Sequence, residues 1–379
     1  MRKFLDASLS ILLSLSFAAS LAACTPGGTE ETGTGNPSDT SAASGIGSES
    51  TAEATETLPQ TPEDGIAIRV GETEISLALY RFLFAEYKAS FLSAVGEDDR
   101  AAFWQKDAGG ESYADYFKNN LTRLLAEQCA ANERFAEMKL SLSPSEKARI
   151  DEALSREDVS SLLSDYEITK DELRLAIELP YRYEAVKAAL FSDPSSARFS
   201  EHFRTHYALI RLIIIRTADK DIYDEEGNVT GAAALSEEER AEKAARIEKL
   251  KTTLSAKNFT EMMRKYSDDL YSAGYESGFF LYDGDAYTDA FLDFVFSLDT
   301  GKIGTLTEDH AVSFIERLAL PKDAYRDPYY ASSFTHFYEN ARKDLLREEL
   351  SADIARAQIK NTDDIDVLNT PSGTYGIIG

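Results

Sequence analysis

Apolar and polar positions alternate at Ile66, Ile68 and Val70, stop at Gly71, and from Leu77 recur at helical spacing as far as Leu92. Period two predicts a short strand, the glycine a turn, and Ser76 the cap of an amphipathic helix. A second long helix is predicted from Tyr113 to Met138, with Leu121, Leu124, Leu125, Cys129 and Phe135 on one side. Two further starts carry their own punctuation. Ser143, Pro144 and Glu146 make a capping box with proline in the first turn, and Thr169 with Glu172 repeats the box before a helix that runs through Pro180 to about Phe191.

At Tyr207 the period changes. The run "YALIRLIIIRT" is too rich in β-branched residues for a surface helix and reads as a buried strand. After a turn at "DEEGNVTG" come a helix capped by Ser236 with Glu239 and the short helix "FTEMMRKYS". A strand at Gly278 to Leu281, a helix at "TDAFLDFVFSL", a turn at Gly301 and a last strand at "VSFIERLA" follow. The chain then turns helical from about Ser333 to Lys360, and "DIDVL" reads as a final strand. This order predicts an α+β protein in which a compact β-α-α-β-α-β unit is inserted between helical segments, the last helix packing back on the first ones.

Composition adds what the pattern does not show. The opening "MRKFLDASLSILLSLSFAASLAAC" has a basic start, an apolar run and small residues before Cys24, the layout of an export signal. Leu21-Ala22-Ala23-Cys24 looks like a bacterial lipobox, which makes Cys24 the expected lipid attachment site and the bilayer a partner through it. Thr25 to Asp64 lacks Lys, Arg and aromatic residues and reads as an acidic spacer with a reach on the order of 35 Å. A net charge of -26 excludes nucleic acid as a partner and direct electrostatic docking on an anionic leaflet. Cys129, the second of two cysteines, falls on the apolar side of its helix and is expected in the core. The 43% of hydrophobic residues fills more than one core, so two globular units are expected.

Several strings in register resemble the parvulin-type peptidyl-prolyl isomerases: "NFTEMMRKYSDD", then Gly278 with Phe280, then "DAFLDFVFSLDTGKIGTLTEDHAVSFIERL". The flanks, "IAIRVGETEIS" and the C-terminal helix, are similar to the helical chaperone domain of PrsA- and SurA-like extracytoplasmic foldases. The resemblance implies a signal peptide at 1–23, a lipidated cysteine and tether at 24–64, a helical domain at 65–206, a parvulin-like domain at 207–320, and a helix at 321–379 that completes the helical domain. It implies a folding factor on the extracytoplasmic face of a bacterial cell membrane, acting on unfolded exported proteins, with no cofactor and with a homodimer as one arrangement. Carried over residue by residue, the family's first histidine becomes Arg211, its Cys or Asp becomes Asp269, and its last histidine falls at Ser313 or its neighbour. The cup for the proline ring becomes Phe291, Tyr287 and Ser277, with Phe280 beside them. With both histidines replaced, binding without catalysis is the leading expectation; an active isomerase and a substrate-binding lipoprotein of a transporter stand as alternatives.

Other chemistry is poorly supported. His202 and His206 have a metal-chelating spacing without a third ligand, so no metal is expected. "GYESG" places its serine one position late for a nucleophile elbow, and His310 lies in a loop just before the last strand.

Overall fold

The computed structural model describes residues 65–108, 111–223, 229–285 and 287–372. Cys24 and the spacer lie outside the described residues. The chain divides into two compact units: one takes in the chain up to Arg182 and again from Asp353, the other runs from Tyr183 to Ala352. Among the described residues no helix is long and apolar enough to cross a membrane.

In the first unit, β1 (Ile66–Val70) turns at Gly71 into β2 (Thr73–Ser76), an antiparallel partner where the sequence pattern predicts only a turn and a cap. The Ser76 hydroxyl accepts from the amide of Leu79 at 3.1 Å and starts α1 (Leu77–Val95). This helix was expected to be amphipathic. It is instead buried nearly all round, from Leu79, Tyr80 and Phe82 to Phe84, Tyr87 and Phe91, as befits the central element of a helical core. Around it lie α2 (Ala101–Trp104), α3 (Tyr113–Glu137), α4 (Pro144–Ala153), α5 (Val159–Asp165) and α6 (Lys170–Leu190), the last helix continuing past the unit boundary. Phe91 stacks on Trp104 at 5.8 Å, and Phe84 meets Phe117 edge to face at 5.0 Å. Cys129 is fully buried, and burial pushes its thiol up to about 12, so it is an inert core residue.

The end of the chain closes this unit. Gln358 and Ile359 form β9, which pairs with β1, and Ile365 and Val367 are buried beyond it. The strand expected at 364–368 is therefore a turn-rich segment held by two apolar plugs. Lys88, fully buried on α1, bonds Asp99 at 2.7 Å and the carbonyls of Val367 and Thr370 at 2.5 and 2.7 Å. All three ammonium protons are thereby used.

In the second unit, α7 (Ala197–His206) leads into β3 (Tyr207–Arg216). A separate hairpin, β4 (Asp219–Tyr223) and β5 (Val229–Ala234), stands where a turn was expected. Then come α8 (Glu237–Thr253), α9 (Phe259–Tyr266), the single turn α10 (Leu270–Ala273) and β6 (Phe279–Tyr282). They are followed by α11 (Asp289–Ser297), β7 (Ile303–Thr307) and β8 (Ala311–Leu318). The strand order is β6-β3-β8-β7, antiparallel throughout. Two short 3-10 segments precede α12 (Phe337–Ile354), which ends six residues before the expected Lys360.

The unit boundaries differ from those expected at Tyr207 and Pro321, and aromatic packing explains why. Phe203 on α7 packs on Phe334 at 5.4 Å, and Tyr207 at the start of β3 packs on Phe337 at 5.6 Å. These contacts bind α7 and the first part of α12 to the sheet. Phe82, Phe84, Tyr87, Phe334 and Phe337 are all buried core, while Tyr338 is half-buried.

Replacing Lys88 by Ala leaves Asp99 and two carbonyls without their cation, at a cost of about 3 to 5 kcal/mol. Trp104, the single tryptophan, lies 5.6 Å from the Lys88 ammonium and reports the unfolding of this unit in urea by fluorescence. A Lys88→Ala loss below about 1 kcal/mol, the range of an exposed pair, would count against the clamp.

Candidate functional site

Successive side chains of a strand point to opposite faces, so the sheet register decides which candidate residues meet. On β3, Ala208, Ile210, Leu212 and Ile214 share one face with Phe279 and Leu281 of β6 and with Ser313, Ile315 and Arg317 of β8. Helix α11 covers this face with Phe291, Leu292 and Val295. The helix comes close because residue 304 is glycine: a Cβ there would lie 2.7 Å from both Leu298 and Phe294. The other face carries Leu209, Arg211, Ile213 and Ile215, and is covered by α8 and α9 through Ile247, Leu250, Phe259 and Met263.

Arg211 and Ser313 therefore stand on opposite faces of the sheet and form no common site. Arg211 is fully engaged on its own face. Its guanidinium bonds Glu316 directly across the ladder at 2.8 and 2.5 Å, Thr260 at 2.6 Å and the Ala256 carbonyl at 3.3 Å. It also lies 5.2 Å over the Phe259 ring. Glu316 is only 3% exposed, so this is a buried ion pair that anchors α9 to the sheet.

The segment Ser267–Asp269 latches onto the part of β3 that β6 leaves uncovered. Ile214 donates its amide to the Ser267 hydroxyl at 3.2 Å and accepts from the Asp268 amide at 2.7 Å. Asp268 also takes the Arg216 amide at 2.8 Å and the Lys243 ammonium at 2.5 Å. The neighbouring Asp269 accepts from the Ser272 amide at 3.3 Å and so caps α10. Ser313 faces Ile214 from the far side of β3. Two strand spacings, about 10 Å, thus separate its backbone from this latch.

Of the expected cup, two members meet. Tyr287, 39% exposed, stacks on the buried Phe291 with ring centres 4.7 Å apart and 19° between planes. Phe280 points to the opposite face, where Phe334 at 4.6 Å and Tyr330 at 5.1 Å surround it. Ser277 is exposed in the turn before β6. Its neighbour Gly278 adopts φ +89°, and a Cβ there would meet the Ile210 carbonyl at 2.8 Å, so only glycine fits. A residue not singled out from the sequence joins the rim: Tyr275, 43% exposed, packs edge to face on Phe279 at 6.1 Å. Phe279 and Phe291 belong to one core cluster, so the two exposed tyrosines stand on the same apolar body. Its signal lay in "GYESGFF", where an aromatic precedes a glycine turn and a strand.

Polar chemistry on that face is sparse. Ser313 is 3% exposed. Arg317 donates to the carbonyls of Val295, Phe296 and Leu298 at 3.5, 2.8 and 2.8 Å, closing the C-terminal end of α11. Among the described residues the rim of this face presents the aromatic area of Tyr275, Tyr287 and Phe291.

Residues 203–317 match the family of the PPIC-type PPIASE domain. Among solved structures the chain is similar to peptidylprolyl isomerase PrsA from Bacillus anthracis, at 13% identity over 62% of this chain and 96% of that one, with a TM-score of 0.27. PrsA from Bacillus subtilis matches at 18% identity, 72% and 100% coverage and a TM-score of 0.21. PrsA from Bacillus cereus matches at 12%, 80% and 99%, with a TM-score of 0.30. With TM-scores below 0.5, these likenesses carry no argument about this chain. No curated protein matches it.

If Arg211 is an anchor, Arg211→Ala strands the buried Glu316 carboxylate and costs about 3 to 5 kcal/mol in equilibrium unfolding, whereas Arg211→Met with Glu316→Leu recovers most of that loss. A double variant no more stable than Arg211→Ala would refute the pairing.

Proposed function

We propose that this chain, with its PPIC-type isomerase domain at 203–317, is a folding factor that binds unfolded exported proteins without isomerising them. It is tethered through Cys24 to the extracytoplasmic face of a bacterial cell membrane, and the acidic spacer lets the folded units sample the space above the bilayer. Rotation about an X-Pro bond breaks no covalent bond but crosses an amide barrier of about 18 to 20 kcal/mol. Lowering it takes polar groups placed for the twisted amide in a dry pocket.

One observation carries the reading. On the face that holds Phe291, the middle of β3 and β6 contribute Ala208, Ile210, Leu212, Ile214, Phe279 and Leu281, with Arg216 at the far end of β3 and Ser313 and Arg317 on β8. Arg211, the one charged candidate on these strands, is spent on Glu316 on the other face. What remains at the rim is binding area: Tyr275 and Tyr287 offer large, rigid, amphipathic rings, each with an apolar support beneath. Extended client segments with proline or aliphatic side chains are the matching partners.

Tyr287→Ala is expected to weaken binding of an unfolded secreted client or a proline-containing extended peptide roughly tenfold, the effect of losing one aromatic anchor, with the far-ultraviolet circular dichroism unchanged. Unchanged affinity in a Tyr275→Ala, Tyr287→Ala double variant would remove this surface from the account. Independently, Cys24→Ser is expected to move the protein from the membrane fraction to the soluble extracytoplasmic fraction; retention in the membrane would contradict the lipid anchor.

A further inference from the structure

The turn that carries Tyr287 is tied to the last residue of α7. Asp283 donates its amide to the His206 carbonyl at 3.0 Å, and its carboxylate lies 2.6 Å from His206 Nδ1. Inside the turn, Asp285 accepts the Tyr282 amide at 2.9 Å, and the Tyr287 amide donates to the Asp285 carbonyl at 2.8 Å. Tyr287 thus hangs on a turn whose first residue, Asp283, bonds the imidazole and whose third, Asp285, bonds the Tyr287 amide. Behind it, the His206 ring stacks on His202 at 4.4 Å with 28° between planes. His202 Nε2 lies 2.9 Å from Asp344 on α12, a carboxylate that also accepts the Tyr282 hydroxyl. His202 Nδ1 is buried without a hydrogen-bond partner.

We propose that His206 is a proton-operated anchor for this turn: the imidazolium holds Asp283, and loss of its proton loosens the turn and the Tyr287–Phe291 stack that it positions. The inference rests on the reading of that stack as a binding surface. The charged and titratable groups facing His206 come from every element around it. Asp283 in the turn and Asp344 and Glu348 on α12 act on it directly and His202 stacks on its ring; Tyr207 on β3, Tyr282 on β6 and Asp285 in the turn share the field of these carboxylates, and Arg347 pairs with Asp344. Four carboxylates and one guanidinium leave the cluster negative when the imidazole is neutral, so the proton on His206 relieves repulsion as well as making the bond.

The hydrogen bond to Asp283 raises His206 above its usual 6.5; burial opposes this, and the charges of Asp283, Asp344 and Glu348 add to it. Burial raises the Asp285 carboxyl, the Tyr282 amide opposes that, and the charge of Asp283 adds to it. Burial alone would raise Asp344 too, but hydrogen bonds from His202 and Tyr282, with the charges of His202 and Arg347, bring it below the ordinary range. A group whose folded value is raised stabilises fully below its unfolded value. That contribution is lost as pH climbs through the folded value, here above about 6.5.

Only four histidines are present, so 13C labelling of histidine in the full chain gives four ring signals, and His206→Gln identifies the one concerned. Its titration and the hydrogen exchange of the Asp283 and Tyr287 amides, corrected for intrinsic exchange, are followed from about pH 5.5 to 9, a range that brackets the histidine value. The expected result is a midpoint above 6.5 and a fall in protection of roughly tenfold or more over the same interval, the scale of one charge-assisted hydrogen bond. His206→Gln would show the low protection at every pH, and Asp283→Asn would lower the midpoint. A midpoint at or below 6.5, or protection that stays constant through the titration, would overturn the anchor. Both readouts are taken without peptide, so a failure of the binding reading leaves them unchanged and is recognised by peptide titration alone.

Discussion

Side-chain alternation along β3 is the constraint on which the second unit depends. A strand buried on both faces divides its residues between two cores, and a shift of one position moves a side chain from one core to the other. Arg211 falls with Ile213 and Ile215, beside α9; Ile210, Leu212 and Ile214 fall beneath α11. Because the guanidinium enters the first core, it needs a buried acid, and Glu316 supplies one directly across the ladder. The second core is then free to be mainly apolar, with Ser313 and Arg317 of β8 as its polar members. It accepts Phe291 from α11 and leaves Tyr287 and Tyr275 at its edge.

The same division fixes the role of the acidic loop. β6 pairs with β3 only from Tyr207 to Ile210, which leaves the backbone groups of Ile214 and Arg216 on that side to be satisfied by something else. Ser267 and Asp268 meet this need, so the first acid of the pair is a backbone latch and the second starts a helical turn. The two carboxylates sit next to each other in sequence and make different local bonds.

Elements with local signals were legible in the sequence. The capping boxes at Ser143 and Ser236 form as read, with both reciprocal bonds, and β3 spans Tyr207–Arg216. Elements whose identity depends on distant partners were not. β2 and β7 are short and polar enough to read as turns until β1 and β8 pair with them. Ile365 and Val367 alternate like a strand, yet what holds that segment is a lysine on α1. Among candidate site residues, the family pattern placed Phe291 and Tyr287 in one expected cup, and the stacking of their rings comes from the structure alone. The placement of Arg211 and Ser313 on opposite faces follows from register, which a single strand's sequence does not reveal. Tyr275 was hidden because an exposed tyrosine in a glycine-rich turn acquires meaning only when Phe279 supports it.

Residues 203–317 match the PPIC-type family, and the function proposed for them is binding of a proline-containing client without isomerisation. Exchange NMR on X-Pro peptides, run at equilibrium with and without the full chain, tests this most directly. The account predicts equal cis/trans exchange rates in the two samples, together with line broadening or shifts that show the peptide is bound. Faster exchange in the presence of the protein, abolished in Asp269→Ala or Ser313→Ala, would contradict it.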